Sequence, residues 1–252
     1  MTSRPARPPR RSKKAALALV AISFGCLTLM AGTPATANDD SRSELVQIGT
    51  YDYLVQPDFT GLAKVGDIAR GRTLGLGTFA NLDGELVMVG GVVYQIRPDG
   101  TPRLADPNSR TPFMQTIRFR PEVSAPVPPG TTCAALPALI TETAGRGNGI
   151  IAVRIRGTFD DLVTRSVSAD PPPFQPLSQT IAEQTVFPLG RERAVLVGFW
   201  QGRDALGIGQ DGLHVHAVTA DRAAGGHVLS CTAGPDVQLS IQVVTDVNVR
   251  TP

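Results

Sequence analysis

The chain has 252 residues, 42% hydrophobic and 18% charged, with a formal net charge of +2, a composition that suits a globular protein of one or two domains. Its positive balance sits at one end, where Arg4, Arg7, Arg10, Arg11, Lys13 and Lys14 crowd the first fourteen positions without an acid. Beyond residue 37, eighteen basic residues face twenty-two acidic ones, a net of −4 that argues against a nucleic-acid partner.

An apolar run from Ala15 to Met30 follows the basic head, and Ala35-Thr36-Ala37 places small residues where a signal peptidase reads them. That order predicts a secretory signal peptide over residues 1–37. The run is shorter than the roughly 20 apolar residues needed to span hydrocarbon. The mature chain is therefore expected to be exported, periplasmic or secreted, with no membrane attachment after cleavage. Arg10-Arg11 lacks the bulky apolar residues of a twin-arginine signal, and Ser23-Phe24-Gly25 before Cys26 is a poor lipoprotein match. Two cysteines remain, Cys133 and Cys231. In an oxidising compartment they permit a disulfide, although sequence separation leaves two buried thiols equally open.

Asn38 to Ser43 is polar, and a short helix is expected around Asp58–Ala69. Thr73 to Phe79 alternates glycine with apolar residues, as a close-packed strand or turn does. Glu85–Val89 and Val92–Ile96 flank Gly90-Gly91 and predict a β-hairpin; Pro98-Asp99-Gly100-Thr101 predicts a turn. Thr116–Arg120 reads as a half-buried strand. Pro121 to Gly130, with four prolines, is the candidate linker between two subdomains, residues 38–120 and 121–252. Ala134–Ala144 suits a helix stopped by Gly145 and Gly147. β-Branched, alternating segments follow at Ile150–Arg156, Val186–Phe187, Ala194–Trp200, Gly212–Val218, Gly226–Cys231, Val237–Val244 and Val247–Arg250. Asp170-Pro171-Pro172-Pro173 reads as a rigid surface segment between them. The expected fold is α+β and sheet-dominated: two subdomains of mixed or antiparallel sheet with a few helices.

All three histidines fall within residues 214–227. On a strand, positions i and i+2 share a face, so His214 and His216 present both imidazoles to one side. Thr219 to Gly225 is turn-like and returns the chain, allowing His227 to lie beside them. Three neutral imidazoles suit a divalent transition metal, usually zinc, and three protein ligands leave a position open for substrate.

Gly212-Leu213-His214-Val215-His216 followed by Gly225-Gly226-His227-Val228-Leu229 resembles the α-acetolactate decarboxylase family. In order along the chain, Leu76-Gly77-Thr78-Phe79, Leu82-Asp83-Gly84-Glu85-Leu86, Val93-Tyr94-Gln95, Thr111-Pro112-Phe113 and Thr164-Arg165-Ser166-Val167 fit the same pattern. So do Leu196-Val197-Gly198-Phe199 and Asn248-Val249-Arg250-Thr251-Pro252, and the likeness covers nearly all of residues 45–252. Leu213 stands where the family usually has an aromatic residue.

The resemblance implies zinc-dependent conversion of (S)-2-acetolactate to (R)-acetoin and carbon dioxide through a metal-stabilised enediolate, without an organic cofactor. Zinc would be held by His214, His216 and His227. Arg165 would clamp the carboxylate of a 2-hydroxy-3-oxo acid, and Glu85 would donate a proton or touch the metal. On the residues alone, Arg165 could equally be a surface ion pair and Glu85 a turn carboxylate. Thr78 could line the pocket, while Arg154, Arg156 and Tyr94 read as structural. The family also implies a homodimer, and a C-terminal tail returning a further glutamate to the site; this sequence stops at Pro252 without that carboxylate, which leaves both a reduced and an abolished activity open. Two other readings are a cupin-like metal dioxygenase, whose usual glutamate after His-x-His is missing from Ala217-Val218-Thr219-Ala220, and a non-catalytic exported metal-binding protein on the same scaffold.

Overall fold

The computed structural model describes residues 43–251, so the expected signal peptide lies outside the described residues. β1 (Glu44–Ile48) runs into a single helical turn, α1 (Tyr51–Leu54), where the Thr50 hydroxyl caps the Tyr53 amide at 3.0 Å. β2 (Ala63–Lys64) and α2 (Val65–Ala69) follow. The helix expected from Asp58 thus starts only at Val65, because Asp58 Oδ1 accepts from the Thr60 amide at 3.0 Å and diverts the backbone into a turn. β3 (Leu74–Thr78), β4 (Glu85–Val89) and β5 (Val92–Ile96) form a meander, and Val89 opposes Val92 across the expected Gly90-Gly91 turn.

β6 (Pro102–Leu104), β7 (Arg110–Thr111), β8 (Met114–Ile117) and β9 (Val123–Pro126) come next. β8 is buried along its whole length and takes in only Thr116 and Ile117 of the half-buried strand expected over Thr116–Arg120; beyond it Arg118 and Arg120 are exposed. Its polar side chains find partners inside: Gln115 donates to Gln47 Oε1 at 2.8 Å, and Thr116 donates to the Leu74 carbonyl at 2.9 Å. The second half holds α3 (Leu136–Ala144), β10 (Ile150–Ser166), α4 (Leu177–Ala182) and β11 (Thr185–Pro188). It continues through β12 (Glu192–Gln201), β13 (Gly212–Thr219), β14 (Gly225–Ala233), β15 (Gln238–Val243) and β16 (Asp246–Arg250). The proline-rich stretch at 121–130 is not a free tether. It contains β9, which pairs with β15 at the edge of its sheet, where a proline's missing amide is tolerated.

One sheet has the order β16-β1-β8-β3-β4-β5-β6. In the other, β12-β13-β14-β10-β15-β9, the long β10 pairs with β12 and β15 along its first part, then with β14 and β11 along its last. It changes partners near Gly157, whose φ of +152° and contact with the Val237 backbone exclude a side chain there. Leu45, Leu76, Val87 and Phe113 of the first sheet side meet Ala152, Val197, Phe199 and Val218 of the second in one buried layer. The outer face of the first sheet is covered by α2 through Val65 and Ile68, that of the second by α3 through Leu136 and Ile140. The central strands are therefore buried on both faces, which explains their apolar runs, while β6, β9 and β16 at the edges keep exposed positions. β16 runs parallel to β1, Glu44 opposite Asp246, so the last strand completes the sheet begun by the first.

Cys133 and Cys231 are bonded, with Cα atoms 5.0 Å apart, tying the approach to α3 onto β14. The two cysteines are 98 residues apart. For a loop of about that length, the entropy removed from the unfolded chain is worth roughly 4–5 kcal/mol. Replacing both with serine is expected to lower unfolding stability by about 2–5 kcal/mol, read as a shift of the urea midpoint. An unchanged midpoint would show the bond to be dispensable.

Candidate metal centre and active site

The alternation of strand side chains decides what enters the layer between the sheets. On β13, His214, His216 and Val218 face inward, while Val215 and Ala217 join the outer core with α3. On β4, Leu86 and Met88 face outward and Glu85 and Val87 inward. β13 and β14 pair with His216 directly opposite His227. Their register is held by the turn between them, where the Thr219 hydroxyl accepts from the Ala223 and Ala224 amides at 3.1 and 3.0 Å. Gly226 has a φ of +136°, and a Cβ on it would collide with the Arg165 carbonyl oxygen. Only glycine lets β14 approach β10 there, and that approach places His227 opposite Arg165 in the ladder.

The three imidazoles converge on one point. His214 Nε2 lies 3.1 Å from His216 Nε2 and 3.2 Å from His227 Nδ1, and the latter two are 3.3 Å apart. Tetrahedral zinc with nitrogen ligands at 2.0–2.1 Å separates those ligands by about 3.3 Å. The donor set fits a divalent ion without any rearrangement of the strands. His216 Nδ1 donates to the Leu86 carbonyl at 2.9 Å, which turns the lone pair of Nε2 toward the cluster. His214 Nδ1 is buried without a hydrogen-bond partner among the described residues, so that ring is anchored only by packing and by the cluster itself. Burial holds His216 down to about 3, with Arg165 adding to the effect against the hydrogen bond that His216 donates to the Leu86 carbonyl. His214 and His227 also stand well below the ordinary imidazole range, chiefly because they are buried. All three rings are therefore neutral, as metal ligands must be.

Glu85 and Arg165 meet beside this cluster. Arg165 Nη1 is 2.5 Å from Glu85 Oε1, and Glu85 Oε2 is 3.4 Å from His216 Nε2. Glu85 is only 4% exposed. Burial pushes its carboxyl up, against the pull of the Arg165 guanidinium. The neighbours of Arg165 fix its place on β10: Thr164 donates to the Gly225 carbonyl at 2.8 Å and Ser166 to the Ile96 carbonyl at 2.9 Å. Thr78 donates to the Gly84 carbonyl at 2.8 Å and so holds the turn that delivers Glu85. One cavity is lined by Thr78, Glu85, Arg165 and the three histidines. Residues from Thr78 to His227 thus share a site, and the five site residues named from the sequence and Thr78 are all in it. Tyr94 is not; it lies under the Arg222 guanidinium, and Arg154 lies over Phe119.

Residues 45–252 match the family described as alpha-acetolactate decarboxylase. The chain belongs to that family. Among the alpha-acetolactate decarboxylases it resembles, that of Klebsiella aerogenes is 32% identical over 203 residues, 81% of this chain and 76% of the relative. That of Bacillus subtilis strain 168 is 29% identical over 214 residues, 85% of this chain and 84% of the relative. A crystal structure of the Bacillus subtilis enzyme superposes with a TM-score of 0.79 at 29% identity, covering 83% of this chain and 89% of that one. A Staphylococcus aureus protein of unknown function, similar to the same decarboxylase, superposes with a TM-score of 0.79 at 26% identity, covering 83% and 89%. Membership supports decarboxylation of acetolactate, a small molecule, as the reaction of this chain, and neither the dioxygenase nor the non-catalytic reading finds support.

Five further residues of this decarboxylase line the same cavity without having been singled out from the sequence: Tyr51, Leu54, Leu177, Ile181 and Gln210. Asp170-Pro171-Pro172-Pro173, expected as a surface segment, leads into the helix carrying two of them. A signal was present for that pair, since Leu177 and Ile181 stand one helical turn apart just after Pro176.

Proposed function

We propose that the chain catalyses the zinc-dependent loss of carbon dioxide from (S)-2-acetolactate to give (R)-acetoin, with His214, His216 and His227 holding the metal. One observation carries the reading: three convergent, neutral nitrogens and a buried Glu85–Arg165 pair share one cavity. A divalent cation there supplies a Lewis acid for the hydroxyl and ketone oxygens of a 2-hydroxy-3-oxo acid. Zinc is the ion best matched by three imidazoles.

Arg165 binds the substrate carboxylate, for which its planar fork offers two charge-assisted hydrogen bonds, and so orients the bond to be broken. Loss of carbon dioxide leaves an electron pair on the carbon skeleton, and that carbon must then take a proton. Glu85 is placed to hold that proton, because burial raises its affinity for one. The apolar layer around the site excludes bulk water and strengthens both interactions.

The enzyme acts outside the cytoplasm in this reading. The N-terminal basic and apolar segments support export, and the Cys133–Cys231 bond suits an oxidising compartment. We also infer a homodimer, from the family resemblance. The test of the reaction is to strip the protein of metal, reload it with zinc and supply racemic acetolactate. Acetoin and carbon dioxide are expected from half of the substrate and only after reloading; acetoin formation indifferent to metal removal would overturn the reading.

A further inference from the structure

The β10–β11 pairing ends with Ser166 opposite Thr185. A hairpin is ordinarily closed there by a turn of about two to five residues. Here residues 167–184 leave the sheet, form α4 and come back. The excursion is fastened at several points. The Asp170 amide donates to the Asn81 carbonyl at 2.7 Å, and the Phe174 ring meets Phe59 edge-on with centroids 5.1 Å apart. Asp170 Oδ2 accepts from the Gln175 amide at 3.0 Å and from the Thr180 hydroxyl at 3.1 Å, which fixes α4 to its own anchor. Held in this way, α4 turns Leu177 and Ile181 into the cavity that contains the histidines, Glu85 and Arg165.

We propose that Leu177 and Ile181 determine the size of the alkyl group at C2 of the substrate. The inference rests on the decarboxylase reading and deepens it. C2 of a 2-alkyl-2-hydroxy-3-oxobutanoate bears a hydroxyl, a carboxylate, an acetyl group and the alkyl group. The first three carry oxygen and have polar counterparts in the metal centre and Arg165. The alkyl group has none, so it faces the apolar side of the cavity, which Leu54, Leu82, Phe113, Val167, Leu177 and Ile181 supply. Leu54, Leu82 and Phe113 are buried residues outside the excursion, and Val167 is buried at its first position, directly after the strand that carries Arg165. Leu177 and Ile181 sit on an excursion that the sheet does not need in order to close, so this wall can vary without moving Glu85, Arg165 or the histidines. Ile181 is only partly buried, and trimming it leaves the core between the sheets intact.

The test uses zinc-loaded full-length mature protein and the variants Ile181→Val, Ile181→Ala and Leu177→Ala, with melting temperature as the check on folding. Turnover is compared for 2-hydroxy-3-oxobutanoates carrying a methyl, ethyl or propyl group at C2. Removing wall methyl groups is expected to raise the ethyl-to-methyl ratio of kcat/KM by about tenfold, the scale of one methylene in an apolar pocket. A second arm measures binding of the corresponding 2-alkyl-2,3-dihydroxybutanoates, in which the ketone is reduced and decarboxylation is blocked. Their affinities should shift in the same order. Unchanged ratios in variants that melt like the wild type would overturn the assignment, even with acetolactate turned over normally. Absence of analogue binding would overturn it too. If analogue preference shifts while no protein makes acetoin, the wall assignment stands and the decarboxylase reading falls.

Discussion

Replacement of His216 by alanine is expected to abolish both zinc retention and acetoin formation. His216 is 1% exposed, and its Nε2 stands 3.1 and 3.3 Å from the other two ligand nitrogens. Without it two imidazoles remain, too few to hold the ion against water. Loss of a partner that merely orients a ligand lowers metal affinity about 10–100-fold, and loss of a ligand should exceed that. The substitution also leaves the Leu86 carbonyl without its imidazole donor, a buried acceptor whose loss costs about 1–3 kcal/mol. That cost is small enough for the strands to persist, so circular dichroism should change little while bound zinc, counted by mass spectrometry, falls to background. A variant with full zinc and full rate would remove His216 from the centre.

Glu85→Gln is expected to lower kcat by about 10²–10⁴-fold, the usual contribution of a positioned proton donor. The change keeps the shape of the side chain and leaves an amide oxygen to accept from Arg165, so the buried guanidinium keeps a hydrogen bond even though it loses its countercharge. Full removal of a buried partner costs more, about 3–5 kcal/mol, which makes glutamine a better probe than alanine. KM should move less than kcat, because the proposed mechanism gives the holding of substrate before reaction to Arg165 and the metal, not to Glu85. Steady-state kinetics on protein of verified zinc content separates the two. Unchanged kcat would mean that Glu85 only pairs with Arg165.

The site was unevenly legible in the sequence. His214 and His216 could be placed on one face from strand periodicity alone, and the short turn made His227 their natural neighbour; the His216–His227 register bears this out. Glu85 and Arg165 carried no such local signal. Eighty positions separate them, and only family resemblance marked them before the two sheets were seen to bring them within 2.5 Å. The wall on α4 was missed because a proline-rich entry reads as surface. The chain there is held down by contacts to Asn81 and Phe59, which no local pattern encodes.

Alternation, turn residues and histidine spacing are properties of a few neighbouring positions, and they were enough to announce a sheet-rich chain with a clustered trio of imidazoles. Partner choice over long separations is different: β16 beside β1, Cys133 beside Cys231, and β10 exchanging one pair of neighbours for another at Gly157. Those pairings follow from how apolar faces of remote segments are buried together, a collective balance that no short window of residues contains.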